Sequence, residues 1–505
     1  MSNPFFYGNP VPPDQFLDRR RELRRIISRI INRGQSTAIV GEPCSGKTSL
    51  LDYLSAPEMR TELYGESGER LLFSYLDAQT LGGEFSQAQF WEYALRPLHE
   101  RVIVLHPDSP LAQAYQVCRE NNFGAFVLER LFVQMGPTGW RLVLMLDEFD
   151  LLLYHPVLNC AEFFGSLRSL ASRSRGALAL VIASRRSLAS LNEDTQQFNR
   201  TGSPYFNFLT EIILGALPDK YVTQLLCRAG DRFTAEECHF MAEVAGGHPY
   251  LVQMAASALW EVYEEGEGDS YWRQQHVRQS TYDEAAQTFG DVWRLWPSET
   301  RRALTAVALA HINTLEGREK LLEKHNFNMK RLVHEIDDFD PELQSLKKHS
   351  LVEEDEAIPG GWRVRPQVLL WWLVDELVRM VRSEKTFGGE DLPRPDKKPQ
   401  SVRRGVWYDG ETKQIWRDGD DMTRELSRDQ YALLVFLCQH PGVVCTKDEV
   451  AQAVWPDKLF EKGVDDAQIY QLIKRVREKI EPDPLNPRYI VTIRGQGYLL
   501  ETSSN

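Results

Sequence analysis

The chain has no paired-cysteine motif. Its seven cysteines are scattered and odd in number, and none forms a C-x-x-C pair. That argues against a disulfide framework and against structural zinc, and it fits a reducing compartment. Long apolar runs are also missing. No stretch reaches the roughly 20 residues that cross a bilayer, and no basic segment followed by an apolar core opens the chain, so the expectation is a cytoplasmic protein with no membrane partner. The third absence is an excess of positive charge. With 59 Lys and Arg against 72 Asp and Glu the net charge is −13. A protein whose whole surface binds nucleic acid is thereby excluded, and any basic footprint must be local.

What remains is ordinary globular material: 505 residues, 42% hydrophobic and 26% charged, enough for about three domains. Chemistry concentrates at the two ends. Near the start, Gly41-Glu42-Pro43-Cys44-Ser45-Gly46-Lys47-Thr48 follows the apolar run Ala38-Ile39-Val40 and precedes Ser49-Leu50-Leu51. This is the G-x-x-x-x-G-K-[ST] phosphate loop in its strand-to-helix setting. Backbone N–H groups of such a loop converge on phosphates at the positive end of a helix. Lys47 adds a mobile charge and Thr48 a hydroxyl for Mg²⁺. Cys44 lies among those dipole ends, which would favour its thiolate; a passive small residue is the blander reading.

A second run, Arg141-Leu142-Val143-Leu144-Met145-Leu146-Asp147-Glu148-Phe149-Asp150, reads as a strand buried on both faces. It delivers two carboxylates at its C-terminal end, where open α/β sheets bind ligands. Asp147 is placed to hold Mg²⁺, and Glu148 is the candidate general base for an attacking water. Asp150 reads as a helix cap. A third strand, Leu178 to Ala183, ends in Ser184-Arg185-Arg186, where a cation would sense a γ-phosphate and offset transition-state charge. Arg185 is the candidate, against the alternative of two solvated surface arginines.

Strands alternating with helical stretches predict a parallel, doubly wound sheet. The strands fall near 38–40, 71–76, 142–146, 178–183 and 211–215. Residues 1–20, with Pro4, Pro10, Pro12 and Pro13, form an extended arm. The core spans 21–216, a helical lid 217–290, and residues 291–386 carry helices and a hairpin around Pro359-Gly360-Gly361 that suggest a first winged helix used for packing. Gly388, Gly389, Pro393, Pro395 and Pro399 mark a linker over 387–402, and 403–505 form an independent domain. In that domain Ser427 with Gln430, and Thr446 with Glu449, form capping boxes. A third helix, about 465–480, lines up Ile469, Leu472, Ile473, Val476 and Ile480 and leaves Gln468, Gln471, Lys474 and Arg475 outward. Residues 489–500 make a hairpin, the wing, with Arg494 at its turn. Gln, Lys and Arg on a helix suit the major groove of double-stranded DNA.

Two resemblances sharpen this. Leu426 to Leu500, with Lys474-Arg475-Val476-Arg477 and Val491-Thr492-Ile493-Arg494-Gly495-Gln496-Gly497-Tyr498, resembles the OmpR/PhoB-type winged helix of bacterial response regulators. That resemblance implies DNA contacts from Gln471, Lys474, Arg475, Arg477, Thr492 and Arg494. The receiver domain usual upstream in that family is absent. Residues 4–386 resemble the STAND and archaeal-type ATPases of the AAA+ superclass, through Phe16 to Leu23, Leu146 to Asp150, Ala183-Ser184-Arg185 and Gly246-Gly247-His248-Pro249-Tyr250. The resemblance implies ATP with Mg²⁺, an adenine framed near Val11 and Pro12 and approached by Pro249, and a phosphate contact from His248. The repeat-rich sensor of STAND proteins is missing. The expectation is an α/β P-loop NTPase with helical lid and internal winged helix, followed by an α+β winged helix-turn-helix domain. It acts as a slow ATPase and ATP-dependent switch on transcription, forming a homo-oligomer on ATP binding and answering an unidentified protein or small-molecule signal. The alternative is a DNA-stimulated ATPase of a remodelling, mobile-element or defence complex, loaded by its winged helix.

Overall fold

The computed structural model describes residues 3–17, 19–198, 203–266, 268–315, 334, 336–382, 405–409, 413–418, 420–423, 426–455, 466–481, 487–493 and 497–501. The chain divides into two compact units, residues 1–318 with 333–378, and residues 319–332 with 379–505. The linker expected over 387–402 lies outside the described residues.

The first unit is organised by five parallel strands, β1 (Thr37–Val40), β2 (Leu71–Asp77), β3 (Arg141–Asp147), β4 (Leu178–Ser184) and β5 (Thr210–Ile213), in the order β2-β3-β4-β1-β5. Their apolar runs are continuous because both faces are covered. Ile39, Val143, Met145, Val181 and Ala183 pack on Leu23, Ile26 and Ile30 of the helix Arg20–Arg33 and on Leu50, Leu51 and Leu54 of the helix Lys47–Ser55. The alternate residues Ala38, Val40, Leu142, Leu144, Leu146, Leu180 and Ile182 join a core with Phe90, Trp91, Phe132, Phe163 and Phe164 on the other side. Truncating one of the fully buried strand residues, such as Leu144→Ala, should cost about 2–5 kcal/mol. The first strand sits mid-sheet, so the carboxyl ends of β1, β3 and β4 lie side by side. This is the doubly wound P-loop NTPase fold.

The lid consists of the helices Asp219–Leu226, Ala235–Ala245 and Pro249–Glu265. Residues near the start touch these helices and the loop between them: Asn3 donates to Ser257 Oγ at 2.9 Å, and Phe5 stacks on Phe233. One helix, Ser270–Leu295, runs unbroken through the boundary expected at 290/291. The helices Ser298–Ile312 and Asp340–Lys348, the antiparallel hairpin β6 (Val352–Glu354) and β7 (Trp362–Val364), and the helix Gln367–Arg382 follow.

The second unit starts with antiparallel β8 (Val406–Asp409), β9 (Gln414–Arg417) and β10 (Asp420–Asp421). Helices Arg428–Gln439, Lys447–Val454 and Asp466–Ile480 come next, and both capping boxes are formed. The closing sheet has the order β11-β13-β12, with β11 Val444–Cys445, β12 Ile490–Ile493 and β13 Gly497–Leu500. Gly497 is required where these strands meet, since a Cβ there would sit 1.9 Å from Cys445 O. The expected stripe Ile469, Leu472, Ile473, Val476 and Ile480 is buried in the common core. This is a winged helix-turn-helix.

Candidate functional site

The turn after β1 closes tightly. A Cβ on Gly41 would fall 2.5 Å from Ser45 Oγ and 3.1 Å from Leu214 O, so only glycine fits. Cys44 and Gly46 have positive φ, 59° and 91°, which brings the chain round into the helix at Lys47. Lys47 is buried, and its Nζ donates to Gly41 O at 2.9 Å and Glu42 O at 3.0 Å. Burial lowers its pKa, with Glu148 the largest opposing influence. Ser45 Oγ is buried with no hydrogen-bond partner, an orphan that an anion-cradling loop accounts for. Sequence reasoning missed Arg19, which donates to Ser45 O at 3.2 Å and Gly215 O at 2.8 Å and so ties the loop to the end of the sheet.

The carboxylates converge as expected. Asp147 Oδ2 accepts from Thr48 Oγ1 at 2.7 Å and from the Tyr75 hydroxyl at 2.9 Å, while its Oδ1 accepts the Glu148 N–H. Burial, and then the Asp147 charge, push the Tyr75 hydroxyl up, so it stays protonated and donating. Thr48 and Asp147 therefore supply hard oxygens fit for Mg²⁺. Among the described residues no cluster of three His, Cys, Asp or Glu could hold a metal.

Glu148 is held at φ 46°, in the left-handed region, and faces the cleft. Its Oε2 accepts from Arg185 Nε at 3.0 Å and Nη2 at 2.9 Å. Arg185 thus touches the candidate base. Arg186, its neighbour, is engaged with Ser190, Tyr154 and Asp194. Asp150 is not a helix cap: its carboxylate accepts the Arg185 N–H at 3.1 Å, because β4 ends directly beside it. The cation and the base are positioned by the same pair of strand ends.

A cleft of about 460 Å³ opens beside the loop. It gathers Cys44, Ser45, Gly46, Lys47, Thr48 and Ser49 with Val11 and Pro249. Val11 N–H donates to Ser49 Oγ at 3.0 Å, and Tyr7 meets Tyr250 edge-on at 5.7 Å. Gly41, Glu42 and Pro43 do not line this cleft. Glu42 and Pro43 instead border a smaller buried pocket with His248, Phe289, Trp296 and Leu351. The Glu42 carboxylate lies 3.5 Å from His349 Nδ1. Burial pushes Glu42 up to about 7 and His349 down to about 4. His248 also departs from expectation: it is absent from the cleft, and burial followed by the nearby Arg19 charge lowers it to about 4. It borders the buried pocket beside Glu42 and Pro43 instead. Cys44 is exposed, yet the protein crowded around the loop raises its thiol, with Lys47 opposing.

In the second unit Gln468, Gln471, Lys474 and Arg475 are exposed along the third helix. Tyr470 stands 58% exposed on the same helix and had no signal in the sequence beyond its outward spacing. Arg477 differs from its neighbours. Its guanidinium donates to Ile490 O at 3.0 and 2.6 Å and to Thr492 Oγ1 at 2.8 Å, which fastens the helix to the wing strand. Thr492 is exposed on β12 and Arg494 lies outside the described residues.

Comparison with known proteins places two families on the chain. The AAA-like domain matches residues 113–284, covering β3, β4 and the lid but not the phosphate loop. The C-terminal domain of transcriptional regulatory proteins matches residues 421–500. The transcriptional regulatory protein YvrH of Bacillus subtilis (strain 168) is 46% identical over 66 residues, which is 13% of this chain and 27% of the relative. The chain thus spans about a quarter of that relative's length. Among solved structures, a Walker-type ATPase of Pyrococcus abyssi aligns over 73% of this chain and 99% of its own, at 14% identity and a TM-score of 0.46. The Klebsiella pneumoniae RstA DNA-binding domain, solved with the RstA box, aligns over 20% of this chain and 93% of its own, at 24% identity and a TM-score of 0.17. An AAA-like ATPase domain is here fused to a C-terminal OmpR/PhoB-type DNA-binding domain.

Proposed function

We propose that the protein is an ATP-dependent switch that regulates transcription through its C-terminal winged helix. The observation that carries this reading is the contact between Arg185 and Glu148 at 2.9 Å, beside the Thr48–Asp147 pair. A general base must be free to accept a proton from water. Held by a guanidinium, Glu148 is a poor base, so turnover is slow and the bound state persists. A γ-phosphate competes for Arg185 and releases the carboxylate, which ties hydrolysis to occupancy of the cleft. Lys47 and the loop N–H groups bind the phosphates. Thr48 and Asp147 would hold Mg²⁺, which when bound neutralises phosphate charge.

Nucleotide at this cleft bridges the phosphate loop, the arm and the lid, because Ser45 to Ser49, Val11 and Pro249 all face it. Closure of those parts on ATP is the change that brings two copies together, and paired winged helices then engage two half-sites on double-stranded DNA. An unidentified protein or small-molecule signal sets when this occurs. Gln468, Gln471, Lys474 and Arg475 read base edges, while Thr492 and Arg494 approach the backbone.

Single-turnover hydrolysis with and without DNA tests the reading. A switch hydrolyses slowly, loses hydrolysis but keeps ATP binding in Glu148→Gln, and gains little from DNA. Rapid turnover driven by DNA would instead identify a remodelling motor.

A further inference from the structure

We propose that Gln253 reads the nucleobase, and that it selects adenine; this rests on the cleft being an adenosine-nucleotide site. Gln253 lies on the lid helix Pro249–Glu265, one turn after Pro249. Residues four apart on a helix share a face, so the flat ring expected against the base and the Gln253 amide are stacked along one stripe. Both line the cleft, together with Tyr7, Gly8 and Tyr250.

Two facts mark Gln253 on the lid side of the cleft. It is only 5% exposed, and its Oε1 is buried without a hydrogen-bond partner. A buried amide oxygen with no donor is costly and calls for an explanation. Further along the same stripe Ser257 is satisfied by Asn3 and Glu261. The Val11 N–H is already spent on Ser49 Oγ. Gln253 Oε1 is therefore a lining group on the lid helix with hydrogen-bonding capacity left over, as Ser45 Oγ is in the phosphate loop. Its two ends, one acceptor and one donor, complement adenine, which offers an amino donor beside a ring-nitrogen acceptor. Which amide end faces the base is set by rotation about the terminal torsion, so the carbonyl reaches the cleft without moving the helix.

The chemistry gives a specificity switch. Gln253→Glu would present an acceptor-only carboxylate, which repels the adenine ring nitrogen and instead matches the two neighbouring N–H donors on the guanine edge. Gln253→Met keeps length and removes both hydrogen bonds. Fluorescent ATP and GTP analogues and inorganic tripolyphosphate are titrated into full-length wild type and both variants. The expected result is that Gln253→Met loses about 5- to 150-fold in ATP affinity, the range of one bidentate base contact, with tripolyphosphate binding unchanged. Gln253→Glu is expected to move the ATP-to-GTP ratio toward GTP. Wild-type ATP binding with the same ATP-to-GTP ratio in wild type and both variants would overturn the assignment while leaving the nucleotide site intact. An equal loss of tripolyphosphate and ATP in Gln253→Met would also overturn it, as a structural defect. Failure of wild type to bind any of the three probes would overturn the nucleotide-site reading and the assignment with it.

Discussion

Glu42 lies in the phosphate loop, yet its carboxyl is turned under the loop against His349 and is 17% exposed. Burial raises it from 4.5 to about 7, with Lys47 as the main opposing charge. At 1.36 kcal/mol for each unit of pKa, ionising it in place costs about 3 kcal/mol. The sign follows from which state binds the proton more tightly. The folded protein does, so this contribution is fully present below pH 4.5 and is lost as pH rises through about 7. Glu42→Gln preserves shape and hydrogen bonding but never ionises. Relative to wild type it should be near neutral at pH 4.5 and stabilising by up to about 3 kcal/mol at pH 8. The assay is urea unfolding of nucleotide-free full-length protein, wild type and variant side by side between pH 4.5 and 8.5. Both chains carry the same second unit, so its transition cancels in the comparison. A stability difference that does not change with pH would refute the burial of an ionisable carboxyl beneath the loop. His349 forms the opposite limb: its pKa falls from 6.5 to about 4, so its contribution is present above pH 6.5 and lost as pH drops through 4.

Lys47→Ala should abolish ATP binding without unfolding the second unit, whose core is its own; equilibrium dialysis with circular dichroism checks both. Glu148→Gln should lower single-turnover hydrolysis by about 10²-fold or more, the scale of general-base loss, with ATP affinity kept. Arg477→Ala should destabilise the second unit by about 1–3 kcal/mol, because three hydrogen bonds to β12 are lost, as read by thermal unfolding. Arg475→Ala, fully outward, should leave that stability unchanged and cost about 1–3 kcal/mol in binding to the preferred DNA site, with a smaller loss on unrelated sequences.

The parts legible in the sequence are those whose physics is local. Five short apolar runs, alternating with helical stretches, announce a sheet covered on both faces, Leu142 to Leu146 most plainly. The phosphate loop is legible because Gly41, Gly46, Lys47 and Thr48 each have one physical reason for their place. Capping boxes at Ser427 and Thr446 are four-residue signals and form as read. What escaped is long-range. Tyr75 reaches Asp147 only because β2 and β3 run in register from Leu71 with Arg141 to Asp77 with Asp147. Arg19, His349 and Ser350 approach the loop and the sheet end from far along the chain, and no spacing within the motif points to them. Arg477 entered as a DNA contact through the family resemblance alone, and its guanidinium finds partners on the wing strand, at Ile490 O and Thr492 Oγ1. Asp150 resembled a cap because an acidic residue before a helical turn usually is one; the end of β4 claimed it first.

The central claim is that nucleotide at one end governs DNA binding at the other. The direct test is fluorescence anisotropy of full-length protein on a DNA site selected from a random pool, at one salt concentration, with ATP, ADP or no nucleotide. The account predicts tighter binding and a higher stoichiometry in ATP, with both changes lost in Lys47→Ala. Superimposable curves in all three conditions would contradict it and leave the winged helix as a passive anchor.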